Sequence, residues 1–123
     1  MTVQEVYYAA LALLGEPQSS SGDYETDVIL GKVNVLLAEL RPYDNALRAA
    51  EGLEDIQMQT VSAMSDELQL MERTARLPMT YGLASGLAYD DDETGKASYF
   101  LQLKDEQLTR FMPAKVGSIT DVY

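Results

Sequence analysis

The sequence contains no cysteine and no histidine. Without cysteine, neither a disulfide nor a thiolate metal site can form. Without histidine, the usual general base near neutral pH and the commonest metal ligand are both missing. Hydrolases built on Ser-His-Asp or Cys-His arrangements are therefore excluded, along with most zinc chemistry; only carboxylate-based catalysis stays open. Basic residues are also scarce, nine Lys and Arg against twenty Asp and Glu, for a formal charge of −11. A surface of that sign repels the phosphate backbone of nucleic acid and anionic lipid headgroups alike. No apolar run approaches the roughly 18–20 residues needed to span a bilayer. The opening Met1-Thr2-Val3-Gln4-Glu5 has no basic stretch of the kind that starts a signal peptide. The expected compartment is the cytoplasm, with no membrane partner and no cofactor.

What is present suits one domain of 123 residues, long enough to bury roughly 65–70% of its unfolded surface without staples. Thr2 and Glu5 have capping-box spacing, and Val3, Val6, Tyr7, Ala10, Leu13 and Leu14 recur at helical period. Gly15 suits the position just past the helix, and Pro17 blocks continuation. This predicts a first helix over 3–14, a polar loop over 16–23, and Asp23 as cap for the next helix. The second helix runs over 24–40 with Ile29, Val33, Leu36, Leu37 and Leu40 on a wide apolar face, which predicts a central position. Pro42 is expected to end it, Asp44 to cap a short helix over 45–50, and Gly52 to stop that. Ile56, Met58, Thr60 and Ser62 alternate with polar neighbours, as in a short strand pair around residues 55–64, while Ser65-Asp66-Glu67 equally suits a helix start. Helical signal returns from Met71, with Leu77, Tyr81, Ala84, Leu87 and Ala88 on one face and Pro78 placed for a first helical turn. The last helix covers 93–112, with Ala97, Phe100, Leu101, Leu108, Phe111 and Met112 on its apolar side and Pro113 as terminator. The fold class expected is all-α: a bundle of about four helices over 1–113, followed by an extended C-terminal tail over 114–123.

The acidic run Asp90-Asp91-Asp92-Glu93 is the most conspicuous local feature. Asp90, Asp92, Thr94 and Gly95 match positions 1, 3, 5 and 6 of a calcium loop, but Leu101 stands where the bidentate Glu is required. The stronger reading is carboxylates at a helix start, opposing the partial positive charge there. Gly82 and Gly86 form a small-xxx-small pair. Glycine inside a helix costs about 1 kcal/mol relative to alanine, so two on one face imply the close approach of another backbone, in the first instance a neighbouring helix of the same domain. Of the eight tyrosines, Tyr7, Tyr81 and Tyr99 fall at core-facing positions. Tyr8, Tyr43, Tyr89 and Tyr123 fall at exposed ones, where a protein contact suits them better than base stacking. Many carboxylates are present, but no two are singled out as acid and base. No catalytic residue is expected, and the chain reads as a non-enzyme.

The segment Leu77-Pro78-Met79-Thr80-Tyr81-Gly82-Leu83-Ala84-Ser85-Gly86-Leu87-Ala88, then Asp90 to Glu93 and Ala97-Ser98-Tyr99-Phe100, carries a resemblance. So do the opening Val3-Gln4-Glu5-Val6, the stretch Ala10-Leu11-Ala12-Leu13-Leu14-Gly15 and the ending Ile119-Thr120-Asp121-Val122-Tyr123. Together they resemble a group of small prophage virion proteins similar to the head–tail connector (neck or adaptor) proteins of tailed bacteriophages. The resemblance implies a helical bundle that docks as a homo-oligomeric ring beneath the portal, with the portal and a tail-completion protein as partners. DNA would pass through that ring without specific binding. The implied location is the virion neck, reached from the host cytoplasm. It implies no catalytic residue. It also implies an extended C-terminal arm reaching a neighbouring subunit, a role matched in position by Ile119, Val122 and Tyr123. The chain departs from what DNA contact would ask for in having so few basic groups. A channel lined by carboxylates reconciles the two, because it lets DNA slide without sticking; Asp90, Asp91 and Asp92 are the first candidates to face it. The plainer role for these acids is to keep the free subunit soluble.

Two other readings compete. A small acidic helical protein can mimic DNA and inhibit a DNA-binding enzyme, which requires the acids to lie along one elongated face. A carboxylate- or metal-dependent enzyme would instead bind calcium, magnesium or manganese.

Overall fold

The computed structural model describes residues 1–111. Over that span the protein is all-α. Five α-helices, α1 (Val3–Leu13), α2 (Thr26–Ala50), α3 (Glu72–Ala75), α4 (Pro78–Asp90) and α5 (Thr94–Phe111), are joined by a 3-10 turn at Gln18–Asp23 and an irregular segment over 51–71. No helix of the described residues is long and apolar enough to cross a membrane.

The start of α1 follows from its sequence. Glu5 N donates to Thr2 Oγ1 at 3.1 Å and Thr2 N donates to Glu5 Oε1 at 3.3 Å, closing the capping box. The two remaining first-turn donors, Val3 N and Gln4 N, reach the carbonyls of Asp66 and Met64 at 3.0 and 2.9 Å. The helix ends in a Schellman turn, with Gly15 at φ +76° and Glu16 N bonded to the Leu11 carbonyl. Its inner face is Val3, Val6, Tyr7, Ala10 and Leu11. Leu13, expected inside, is exposed, and Leu11 takes its place.

The second helix departs most from expectation. It does not stop at Pro42 but runs unbroken to Ala50, so no separate helix over 45–50 exists. Proline inside a helix loses one N–H bond and crowds the carbonyl four residues back. Here that carbonyl belongs to Ala38, and Pro42 and Ala38 are both exposed, so the freed acceptor lies on the solvent side of the helix and not in the core. Long-range bonds hold the half beyond Pro42 in register. Asp44, expected as a cap, is instead fully buried and accepts from Met71 N at 2.9 Å, Thr74 Oγ1 at 2.8 Å and Arg48 Nε at 2.8 Å. At the other end Asp23 does not cap the helix. Glu25 occupies the cap position without a side-chain bond.

No strand pair forms around residues 55–64. Backbone groups of the 51–71 segment are instead met by side chains, most of them from α2. Asn34 clamps both the N–H and the carbonyl of Val61, at 2.7 and 3.1 Å. Asn45 Oδ1 and Arg41 Nε do the same for Ile56, at 2.8 and 3.1 Å. Gln59 bridges to Glu67 and Gln69 from within the segment. Amides and guanidinium groups thus do the work a partner strand would do. Ser65-Asp66-Glu67 starts no helix either. Asp66 Oδ2 accepts from the N–H groups of Ser62 and Ala63 and closes a turn, and Thr2 and Glu67 form an isolated β-bridge.

The central helix is α4, not α2. It packs against α1, α2, α3 and, most extensively, α5. From Pro78 to Tyr89 it carries no charge, and a helix apolar all round belongs inside. Pro78 sits at its first turn, where a missing N–H is harmless. On α5, Ala97, Phe100 and Leu108 are buried as expected, but Leu101 is exposed and Lys104 is buried instead.

Candidate interaction surfaces

Four of the expected site features lie on the α4–α5 hairpin. Its turn is short because α4 ends in another Schellman arrangement. Glu93 N bonds the Ala88 carbonyl and Asp92 N the Tyr89 carbonyl, at 2.9 and 3.1 Å. Asp92 takes the left-handed position, φ +61°, which glycine fills at the ends of α1 and α2. Aspartate tolerates that conformation better than most residues. The acidic run is therefore a helix end, a turn and a helix start, and not the open loop that calcium requires. Asp90 belongs to α4, Asp92 to the turn and Thr94 to α5. Among the described residues, no three His, Cys, Asp or Glu side chains converge to hold a metal.

The acids of the run are also engaged. Asp90 Oδ2 pairs with Lys32 Nζ on α2 at 3.0 Å. Asp91 Oδ2 accepts from the Tyr24 hydroxyl at 2.5 Å. Burial, then that hydrogen bond and the Asp91 charge, push the Tyr24 phenol above its ordinary pKa, so it remains a donor. Glu93 pairs with Lys96 at 3.2 Å. The Asp90 and Asp91 contacts tie the hairpin tip to the start of α2.

Gly82 and Gly86 face α2, but what comes close to them are its side chains and not the backbone that the spacing predicts. A methyl at Gly82 would lie 2.5 Å from Leu36 Cδ2 on α2, and one at Gly86 would lie 3.2 Å from Lys32 Cδ. Of the tyrosines, Tyr7 is buried and donates to the Ser21 carbonyl at 2.7 Å. Tyr81 is half-buried and stacks on Phe100. Tyr99, expected to face the core, is exposed and meets Phe100 edge-on. Tyr43 is exposed and Tyr8 half-buried, whereas Tyr89 stands 68% exposed beside the acidic tip. Ile119, Val122 and Tyr123, together with Met112 and Pro113, lie outside the described residues.

Sequence reasoning missed the polar stripe Asn34, Arg41 and Arg48, spaced by seven on α2. Arg48 reaches the Gln69 carbonyl at 2.8 Å, completing the set of backbone contacts to the irregular segment. The signal was there: polar residues at heptad spacing on a helix otherwise read for its apolar face. The Lys104–Glu39 ion pair, which joins α5 to α2, was also missed, because lysine is rarely buried.

No protein-family model, no curated protein and no solved structure matches this chain.

Proposed function

We propose that this chain is a structural subunit of a phage or prophage particle, a head–tail connector (neck) protein that assembles as a ring beneath the portal. The observation that carries the reading is the α4–α5 hairpin with its acidic tip, on the residues where the resemblance to that group is strongest. A central helix without charge from Pro78 to Tyr89, a three-residue turn over 91–93 and a long amphipathic helix make up this hairpin. In the proposed assembly Asp90, Asp91 and Asp92 face the channel, and the ring multiplies their repulsion of DNA phosphates. Tyr89 and the arm with Ile119, Val122 and Tyr123 contact neighbouring subunits. Absence of histidine and cysteine supports a role without catalysis.

Exposed acids occur on all five helices, a distribution less suited to a DNA mimic, which concentrates them on one elongated face. The test mixes the purified protein with the portal protein encoded in the same gene cluster and examines the mixture by negative-stain microscopy. The expected result is an added ring of density on the portal, lost when residues 114–123 are deleted. A bare portal at micromolar subunit concentration, or a gene neighbourhood without portal, capsid and tail genes, would sink the reading.

A further inference from the structure

The helices α2 and α5 both pack on α4 but scarcely touch each other. Between them runs a trough of about 510 Å³ whose floor is the Gly82, Ser85 and Gly86 face of α4. It continues past Lys32 and Leu101 into a second hollow of about 420 Å³ that reaches Tyr89. The walls carry hydrocarbon from Val28, Gly31 and Val35 on α2 and Leu101 on α5, beside the charged Lys32, Glu39 and Lys104. Val28 is 44% exposed, Val35 66% and Leu101 46%. Leu36 and the Lys32 methylenes cover the two glycines, and the one hydroxyl of the floor, Ser85, is spent on the Ala97 carbonyl.

The charges along the trough are ordered in one direction. Lys104 pairs with Glu39, and the lysine side chain is 5% exposed against 43% for the glutamate. Lys32 pairs with Asp90, at 26% against 42%. In both pairs the cation lies inward and the carboxylate outward. An incoming molecule therefore meets the carboxylate of Glu39 on the trough wall and, beside Lys32, that of Asp90 at the end of α4.

We propose that this trough is a docking site for an amphipathic helix of a partner protein, one with an apolar stripe and basic residues on its flanks. A helix laid between α2 and α5 would complete the bundle over α4 and bury the exposed Val28, Val35 and Leu101. Basic side chains on the flanks of that helix would match the outward carboxylates of Glu39 and Asp90. Charge decides against a second copy of this chain as occupant, since each copy carries −11 and brings like charge to the same rim. The inference stands apart from the virion reading, because a trough of this shape and sign selects its ligand whatever the assembly.

The test uses the full-length protein and three synthetic peptides of about 16 residues. The first has leucines at i, i+3, i+4 and i+7 with Lys and Arg flanks. The second keeps the leucines and has Glu flanks. The third keeps the basic flanks and has serine for leucine. Binding is read by fluorescence anisotropy and located by NMR shift changes. The first peptide is expected to bind at least about tenfold more tightly than either control, with shifts centred on Gly31, Val35, Gly86 and Leu101. The variants Val35→Ser and Leu101→Ser, both at exposed positions, should each weaken it about three- to tenfold with the circular dichroism unchanged. Equal binding of the all-serine peptide would reduce the effect to bulk charge and overturn the proposal. So would no binding at millimolar peptide. Self-association of the protein abolished by Val35→Ser would also overturn it, in favour of a second copy.

Discussion

Asp44 shows how much one side chain can decide in this chain. Its carboxylate has no exposed surface and gathers the Met71 N–H, the Thr74 hydroxyl and the Arg48 guanidinium, all within 2.9 Å. Those three bonds anchor the far half of α2, the end of the irregular segment and the start of α3. A charge this deep is stable only while its partners stay in place. Asp44→Ala should therefore lower unfolding stability by about 3 kcal/mol, the low end of the range for a broken buried pair, because Arg48 keeps the Gln69 carbonyl and partial access to water. Thr74→Val removes one bond and leaves the carboxylate two others, so it should cost about 1 kcal/mol. Urea titration of the two variants gives both values. Equal losses would mean that the cluster is held by packing and not by the carboxylate.

Helix α4 depends on the opposite property, the near absence of side chain where α2 crosses it. Alanine in place of either glycine gains about 1 kcal/mol of helix propensity, so the sign of each substitution rests on space. At Gly82 the new methyl would lie 2.5 Å from Leu36 Cδ2, so the Leu36 side chain must leave its place against α4 and turn toward the trough. Overpacking of that kind costs about 1–3 kcal/mol, and Gly82→Ala should be net destabilising by about 1 kcal/mol. At Gly86 the neighbour is the lysine stem of Lys32, which can yield by a few tenths of an ångström, and Gly86→Ala should be neutral or stabilising by up to about 0.5 kcal/mol. Thermal unfolding of the pair separates the two, and destabilisation by both would show that α2 lies closer along its whole length.

This contrast also marks what the sequence could tell at the scale of elements. The capping box of α1, the glycines past α1 and α2, Pro78 at the start of α4 and the paired glycines were legible because each is a local rule with a local cost. The fate of Pro42 was not, because what carries α2 past it are contacts of Asp44, Asn45 and Arg41 with residues far along the chain. Irregular structure over 51–71 was illegible for the same reason: an alternating pattern suggests a strand, yet the groups that satisfy its backbone are side chains of α2. At the hairpin tip the acids were plain to see. Their partners were not, since Tyr24 lies 67 residues from Asp91.

For the whole molecule the governing quantity is charge. The chain carries a formal charge of −11, and among the described residues six ion pairs form, most with at least one well-exposed partner. Exposed pairs are worth about 0–1 kcal/mol each, whereas the excess of acids repels across the entire surface. Added salt screens both, with a Debye length falling from about 30 Å at 0.01 M to about 8 Å at 0.15 M. At helix-to-helix distances the repulsion is lost to screening before the close pairs are. The melting temperature should therefore rise, by about 3–5 °C between roughly 0.01 and 0.3 M NaCl, a shift of about 1 kcal/mol for a domain of this size. Differential scanning calorimetry decides it: a fall over that range would place the Lys104–Glu39 and Lys32–Asp90 contacts above the net charge in the balance. Self-repulsion also bears on assembly. In the proposed assembly, copies carrying −11 each would close into a ring only where salt or a basic partner offsets their field, so a ring on a portal should form more easily as ionic strength rises, while docking of a basic helix into the α2–α5 trough should grow weaker.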